Sequence, residues 1–99
     1  MRLTSDQTRT ILHCMHQQFG PLTRVSLYGS RLDDAGRGGD VDLLVETEAP
    51  PTLRERALAT VRLEQSLQLP VDLLVVERGS RATAFTRLAR ASAKLLESA

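Results

Sequence analysis

Residues 27–45, LYGSRLDDAGRGGDVDLLV, decide how this chain folds. A short apolar segment, Val25–Tyr28, ends at Gly29-Ser30, where the chain must turn. Gly29 allows close backbone approach, and a short helix is expected to begin there, with free N–H groups that favour an anion. Residues 33–39, DDAGRGG, form a polar connection. A second apolar run then carries Asp40 and Asp42 two residues apart. Side chains alternate along a strand, so Asp40 and Asp42 leave on one face and Val41, Leu43 and Val45 on the other.

The pentapeptide VDLLV of residues 41–45 recurs at 71–75. Two buried strands of similar composition will often look alike, so the recurrence is not read as a duplication. Its phase is the informative part. In both copies the aspartate lies opposite the Val-Leu-Val set, near the start of the strand. Neighbouring strands in similar register would bring Asp72 near Asp40 and Asp42.

Outward from these strands the pattern is helical. Residues 5–19 read as a first helix capped by Ser5 or Asp6, with Ile11, Leu12, Met15 and Phe19 on its apolar face and Gly20-Pro21 as its stop. Thr52 to Leu67 reads as a second, with Leu53, Ala57, Leu58, Val61 and Leu67 facing the core. Gly79-Ser80 is expected to open a last helix reaching about Glu97, with Phe85, Leu88, Ala89, Ser92 and Leu95 or Leu96 on one side. Strands are expected at 24–28, 40–46 and 71–76. Further edge strands could lie at 20–24 or 47–51. The fold class is therefore α/β with α+β character: one domain over residues 1–99, a small sheet with helices packed on it, strand directions open.

Composition excludes several classes. With 41% apolar and 25% charged residues, the chain has the make-up of a folded, water-soluble domain. A net charge of +1 gives no reason to expect direct nucleic-acid binding. No apolar run is long enough to span a bilayer and Met1–Asp6 is already polar, so a cytoplasmic location is expected. The single cysteine, Cys14, permits no internal disulfide and is placed in the apolar stripe of the first helix. His13 and His16 are three apart, but no third metal ligand stands near them. Tyr28 is read as a packing residue, and Arg87, Arg90 and Lys94 as a charged stripe on the last helix.

The chemistry lies in the acidic pair. GRGG at 36–39 is no P-loop, because no Lys-Ser or Lys-Thr follows and the glycines precede a strand. A calcium loop would need oxygen ligands at every second position and a closing Glu. Two carboxylates on one strand face suit Mg²⁺, which takes oxygen ligands and is completed by water and substrate phosphates. With Asp72 as a third carboxylate, two ions about 3.5–4 Å apart become feasible. Ser30 and the N–H groups around Gly29 would hold the distal phosphates of a nucleoside triphosphate, with Arg31 offsetting charge.

These motifs together resemble the minimal nucleotidyltransferases of the DNA-polymerase-beta-like superfamily: Gly-Ser, a spacer, Asp-hydrophobic-Asp, and a third Asp on a later strand. Here they read LYGSRLDDAGRGGDVDLLV followed by PVDLLVV. The resemblance covers nearly the whole chain. It implies a polymerase-beta-like palm fold with a mixed sheet, Gly29 and Ser30 as the phosphate-gripping pair, and Arg31 as the common arginine after them. It implies Asp40 and Asp42 as carboxylates bridging two Mg²⁺ ions, and Asp72 as the third, on the attacking side. It further implies an antitoxin that transfers AMP from ATP to a tyrosine of a small all-helical HEPN toxin. The family often continues Ala-Arg-Gly where this chain has Leu32-Asp33-Asp34. That departure, with the basic last helix, frames the alternative of a non-catalytic module that neutralises its partner by contact. Oligomeric state, whether with itself or with the partner, is left open.

Overall fold

The computed structural model describes residues 3–29 and 41–97. Helix α1 (Ser5–Phe19) leads into strand β1 (Arg24–Tyr28); β2 (Val41–Thr47), α2 (Leu53–Leu67), β3 (Val71–Glu77), α3 (Ala84–Ser92) and β4 (Lys94–Leu95) follow. The sheet order is β3-β2-β1-β4. β1 runs antiparallel to both β2 and β4, whereas β2 and β3 are parallel, so the sheet is mixed. The two VDLLV segments are the neighbouring strands, aligned residue for residue from Val41↔Val71 to Val45↔Val75.

Alternation sorts the strands onto two faces. Val25, Leu27, Val41, Leu43 and Val45 are fully buried against Ile11 and Met15 of α1 and Ala59 and Leu63 of α2. The opposite face carries Tyr28 and Leu44, covered in part by Ala89 of α3. Cys14 is half-buried against the main core.

The helix starts depend on capping. Thr4, rather than Ser5 or Asp6, caps α1: its Oγ1 accepts from Gln7 N at 3.1 Å and Gln7 Oε1 accepts from Thr4 N at 2.9 Å. Gln7 stands three residues after Thr4, the spacing this reciprocal pair requires. Thr52 and Glu55 repeat the arrangement on α2.

The structure corrects two helix faces and one helix. On α2 the buried residues are Ala59, Leu63 and Leu67, while Leu53, Ala57, Leu58 and Val61 are exposed. Residues 53, 57 and 61 and residues 59, 63 and 67 have the same four-residue spacing, so periodicity alone could not choose between them. The roll is set by the crossover from β2 to β3, where Glu64 Oε2 accepts from Val71 N at 2.8 Å. On α3 the buried residues are Thr86 and Ala89, and Phe85 and Leu88 are exposed.

The last helix is also shorter than expected. Gly79 (φ +83°) and Ser80 form a turn closed on Glu77 O, and Thr83 is the cap. Ala93 is extended, and the edge strand beside β1 is formed by residues 94–95, not by 20–24 or 47–51. Pairing satisfies the outer edge of β1, where Leu96 N donates to Val25 O at 2.8 Å, and it carries Leu96 into the core. Lys94 therefore leaves the helical stripe, and Arg90 is paired with Glu46 at 3.1 Å.

Candidate active site

The end of β1 and the starts of β2 and β3 meet at one end of the sheet. Tyr28 lies opposite Asp42, and Asp42 lies opposite Asp72. In-register neighbours share a face and stand one strand spacing apart, about 4.8 Å. The two aspartates are therefore side by side on the α3 face. Asp42 is half-buried and Asp72 exposed, so solvent and a ligand reach the pair from one side.

Gly29 closes the site from the β1 side. Its φ is +82°, a conformation L side chains rarely adopt, and a Cβ built there would fall 2.5 Å from Asp42 Oδ2 and 3.3 Å from its Cγ. The backbone thus packs directly on the carboxylate, which a side chain at position 29 would displace. This contact gives the Gly of Gly-Ser a structural reason.

Tyr28 belongs to the site as well as to the packing. It is buried, and its ring meets that of Phe85 edge-on at 6.3 Å between centroids and 78° between planes. Burial raises the phenol pKa above its ordinary value, and the charges of Asp42 and Asp72 raise it further. The hydroxyl is therefore a neutral neighbour of both carboxylates. Sequence reasoning assigned Tyr28 only to packing. The signal that could have found it is parity: the residue before Gly29 must share a face with the aspartate it pairs with.

Ser30, Arg31 and Asp40 lie outside the described residues, as does the helix expected after Gly29. Among the described residues, no group of three or more His, Cys, Asp or Glu side chains converges. His16 is engaged at 3.1 Å by the carbonyl of Thr23. A groove of about 460 Å³ between α1 and α2, with His13, Cys14 and Arg62 in its wall, opens on the other side of the sheet. Burial raises the Cys14 thiol pKa, with Arg62 opposing, so the groove carries no activated nucleophile.

A paired carboxylate, a glycine pressed on it and a mixed sheet in this order define a recognisable scaffold. The family model described as "Nucleotidyltransferase domain" matches residues 8–94. The chain belongs to that family. The nucleotidyltransferase domain has the fold of a chain in the solved complex of tri-AMPylated Shewanella oneidensis HEPN toxin with MNT antitoxin. The two superpose with a TM-score of 0.72 over 97% of this chain and 74% of the other, at 18% sequence identity. No curated protein matches this nucleotidyltransferase domain. Among its described residues no helix is long and apolar enough to cross a membrane.

Proposed function

We propose that the domain transfers AMP from Mg²⁺-bound ATP to a hydroxyl of a partner protein, a tyrosine of a small helical HEPN-type toxin, and so acts as its antitoxin. The observation that carries the reading is the in-register Asp42–Asp72 pair with Gly29 seated against Asp42. These carboxylates are hard oxygen donors, and the cradle that a Cβ would fill holds one of them in place, so the residues present fit Mg²⁺. Asp42 and Asp72 would hold the metal together with Asp40, two residues before Asp42 in the sequence. Bound there, Mg²⁺ supplies Lewis-acid stabilisation of phosphoryl charge and lowers the pKa of an attacking hydroxyl.

The chain's own residues have simpler tasks. Gly29, with Ser30, would present backbone N–H groups to the triphosphate, and Arg31 would offset its charge. Tyr28, paired with Asp42 across the strands and kept neutral, adds no charge to the carboxylate pair. Phe85, whose ring meets that of Tyr28, stands exposed on α3 beside the site, and a partner protein docked there would bring the acceptor hydroxyl. The solved complex supports the choice of acceptor class, since it pairs an MNT antitoxin with an AMP-modified HEPN toxin.

Incubation of the domain with labelled ATP, Mg²⁺ and a HEPN-type protein encoded beside it should label that protein on tyrosine. Asp72→Asn should abolish labelling while leaving binding of the two proteins intact. Neutralisation that persists in an Asp42→Asn, Asp72→Asn double variant without any label would replace catalysis by contact inhibition.

A further inference from the structure

We propose that the outer edge of β3, unpaired among the described residues, together with the exposed stripe of α2 beside it, is the interface of a two-fold dimer of this chain. The proposal does not rest on the reading of the carboxylate site. β3 is an edge strand seven residues long with no Pro or Lys in it, and Leu73, Leu74, Val75 and Val76 are all half-exposed. Edge strands are usually blunted by charge, Pro or a bulge; here the charges, Asp72 and Glu77, lie near the two ends and the middle of the strand is apolar.

Hydrogen-bond parity selects the occupant and its register. Val41 N donates to Pro70 O, and Val41 pairs with Val71, so Pro70, Asp72, Leu74 and Val76 turn their backbone groups toward β2. Val71, Leu73, Val75 and Glu77 therefore turn theirs outward. Two of those outward groups already have partners: Glu64 accepts from Val71 N, and Glu77 O accepts from Ser80 N and Oγ. Among the described residues, Val71 C=O, both groups of Leu73 and Val75, and Glu77 N–H remain between them.

An antiparallel second copy centred on Leu74 satisfies this remainder completely. Leu73 exchanges both bonds with Val75 of the second copy, and Glu77 N–H donates to Val71 C=O. The one bond such a ladder would lack, Val71 N–H to Glu77 C=O, joins the two groups that are already satisfied within each chain. The edge is complementary to itself in this register.

The helix layer fits the same axis. The α2 side that carries Glu64 toward β3 also carries exposed Leu53, Ala57 and Val61. Leu74 lies three residues, about 10 Å, past the start of β3. Ten ångströms back from Leu67, the end of α2, is about residue 60. A two-fold through that height packs Ala57 against Val61 of the second copy. It also brings Arg54 opposite Glu64 of the second copy, twice, so the charges flanking the apolar centre are complementary.

Sedimentation equilibrium of the full chain should give twice the 10.9 kDa chain mass, and Val61→Arg should raise the dissociation constant more than about tenfold with an unchanged circular dichroism spectrum. Mixing Arg54→Glu chains with Glu64→Lys chains should restore the dimer that each variant alone loses. Register is read by cross-linking in a Cys14→Ala background. Residues facing each other across the axis at Leu74 have Cα atoms about 4.5 Å apart, so Leu74→Cys should form a disulfide-linked dimer. Leu73→Cys should not, its Cα atoms standing about 8 Å apart in this register, beyond disulfide reach. A chain that stays monomeric, a dimer indifferent to Val61→Arg, cross-linking at 73 instead of 74, or an edge that pairs only with an added HEPN-type protein would each overturn the proposal.

Discussion

Gly29→Ala tests the contact that ties the turn to the chemistry. The substitution adds one methyl group at φ +82°, with its carbon 2.5 Å from Asp42 Oδ2. The left-handed backbone costs about 1–2 kcal/mol for an L residue. Driving the Asp42 carboxylate off its rotamer adds about 0.5–1.5 kcal/mol. The total of roughly 2.5 kcal/mol should lower Tm by about 10–20 °C in a domain of this size. Calorimetry of Gly29→Ala in two backgrounds separates the contributions. With Asp42→Ala the colliding oxygen and Cγ are gone, and only the Asp42 Cβ contact at 3.5 Å, an ordinary distance, persists. The cost of Gly29→Ala should then fall to the backbone part, leaving a coupling of about 0.5–1.5 kcal/mol between the sites. Transfer activity should be lost in Gly29→Ala even at temperatures where it is fully folded. A cost below about 0.5 kcal/mol, or the same cost in both backgrounds, would refute the packing of Gly29 on Asp42.

Four further expectations follow from the site and the core. Tyr28 is the chain's sole tyrosine, so its ultraviolet titration reads one group; it should ionise above the ordinary phenol range, and less far above it in Asp42→Asn or Asp72→Asn. Because the folded pKa is raised, this phenol's contribution to stability is complete below the unfolded pKa and lost as pH rises through the folded one; Tyr28→Phe should remove that alkaline decline in Tm. Mg²⁺ should raise Tm of the parent chain and not of the Asp42→Asn, Asp72→Asn double variant, a comparison that needs no acceptor. Leu63→Ala should cost about 2–5 kcal/mol in urea denaturation, while Val61→Ala, on the exposed stripe, should cost under about 0.5 kcal/mol to folding of a single chain.

The sequence by itself determined three of the four described strands and the common phase of Asp42 and Asp72; that the two motifs are neighbours, in register, was decided by the tertiary structure. A strand alternates strictly, and Asp42 and Asp72 hold the same place in two identical pentapeptides, so phase followed once the strands were recognised. It also determined that a glycine was wanted before Ser30, though not what the glycine touches. The tertiary structure decided the rest. Which stripe of α2 is buried depended on where Glu64 met the start of β3, because both stripes have the same period. That α3 stops at Ser92 depended on the unpaired edge of β1, a demand made by a strand some seventy residues earlier in the chain. Tyr28 joined the site only when β1 aligned antiparallel to β2 and set the phenol beside Asp42. Local periodicity fixes what one segment prefers; hydrogen bonds owed to a distant segment decide where that segment ends and which side it shows.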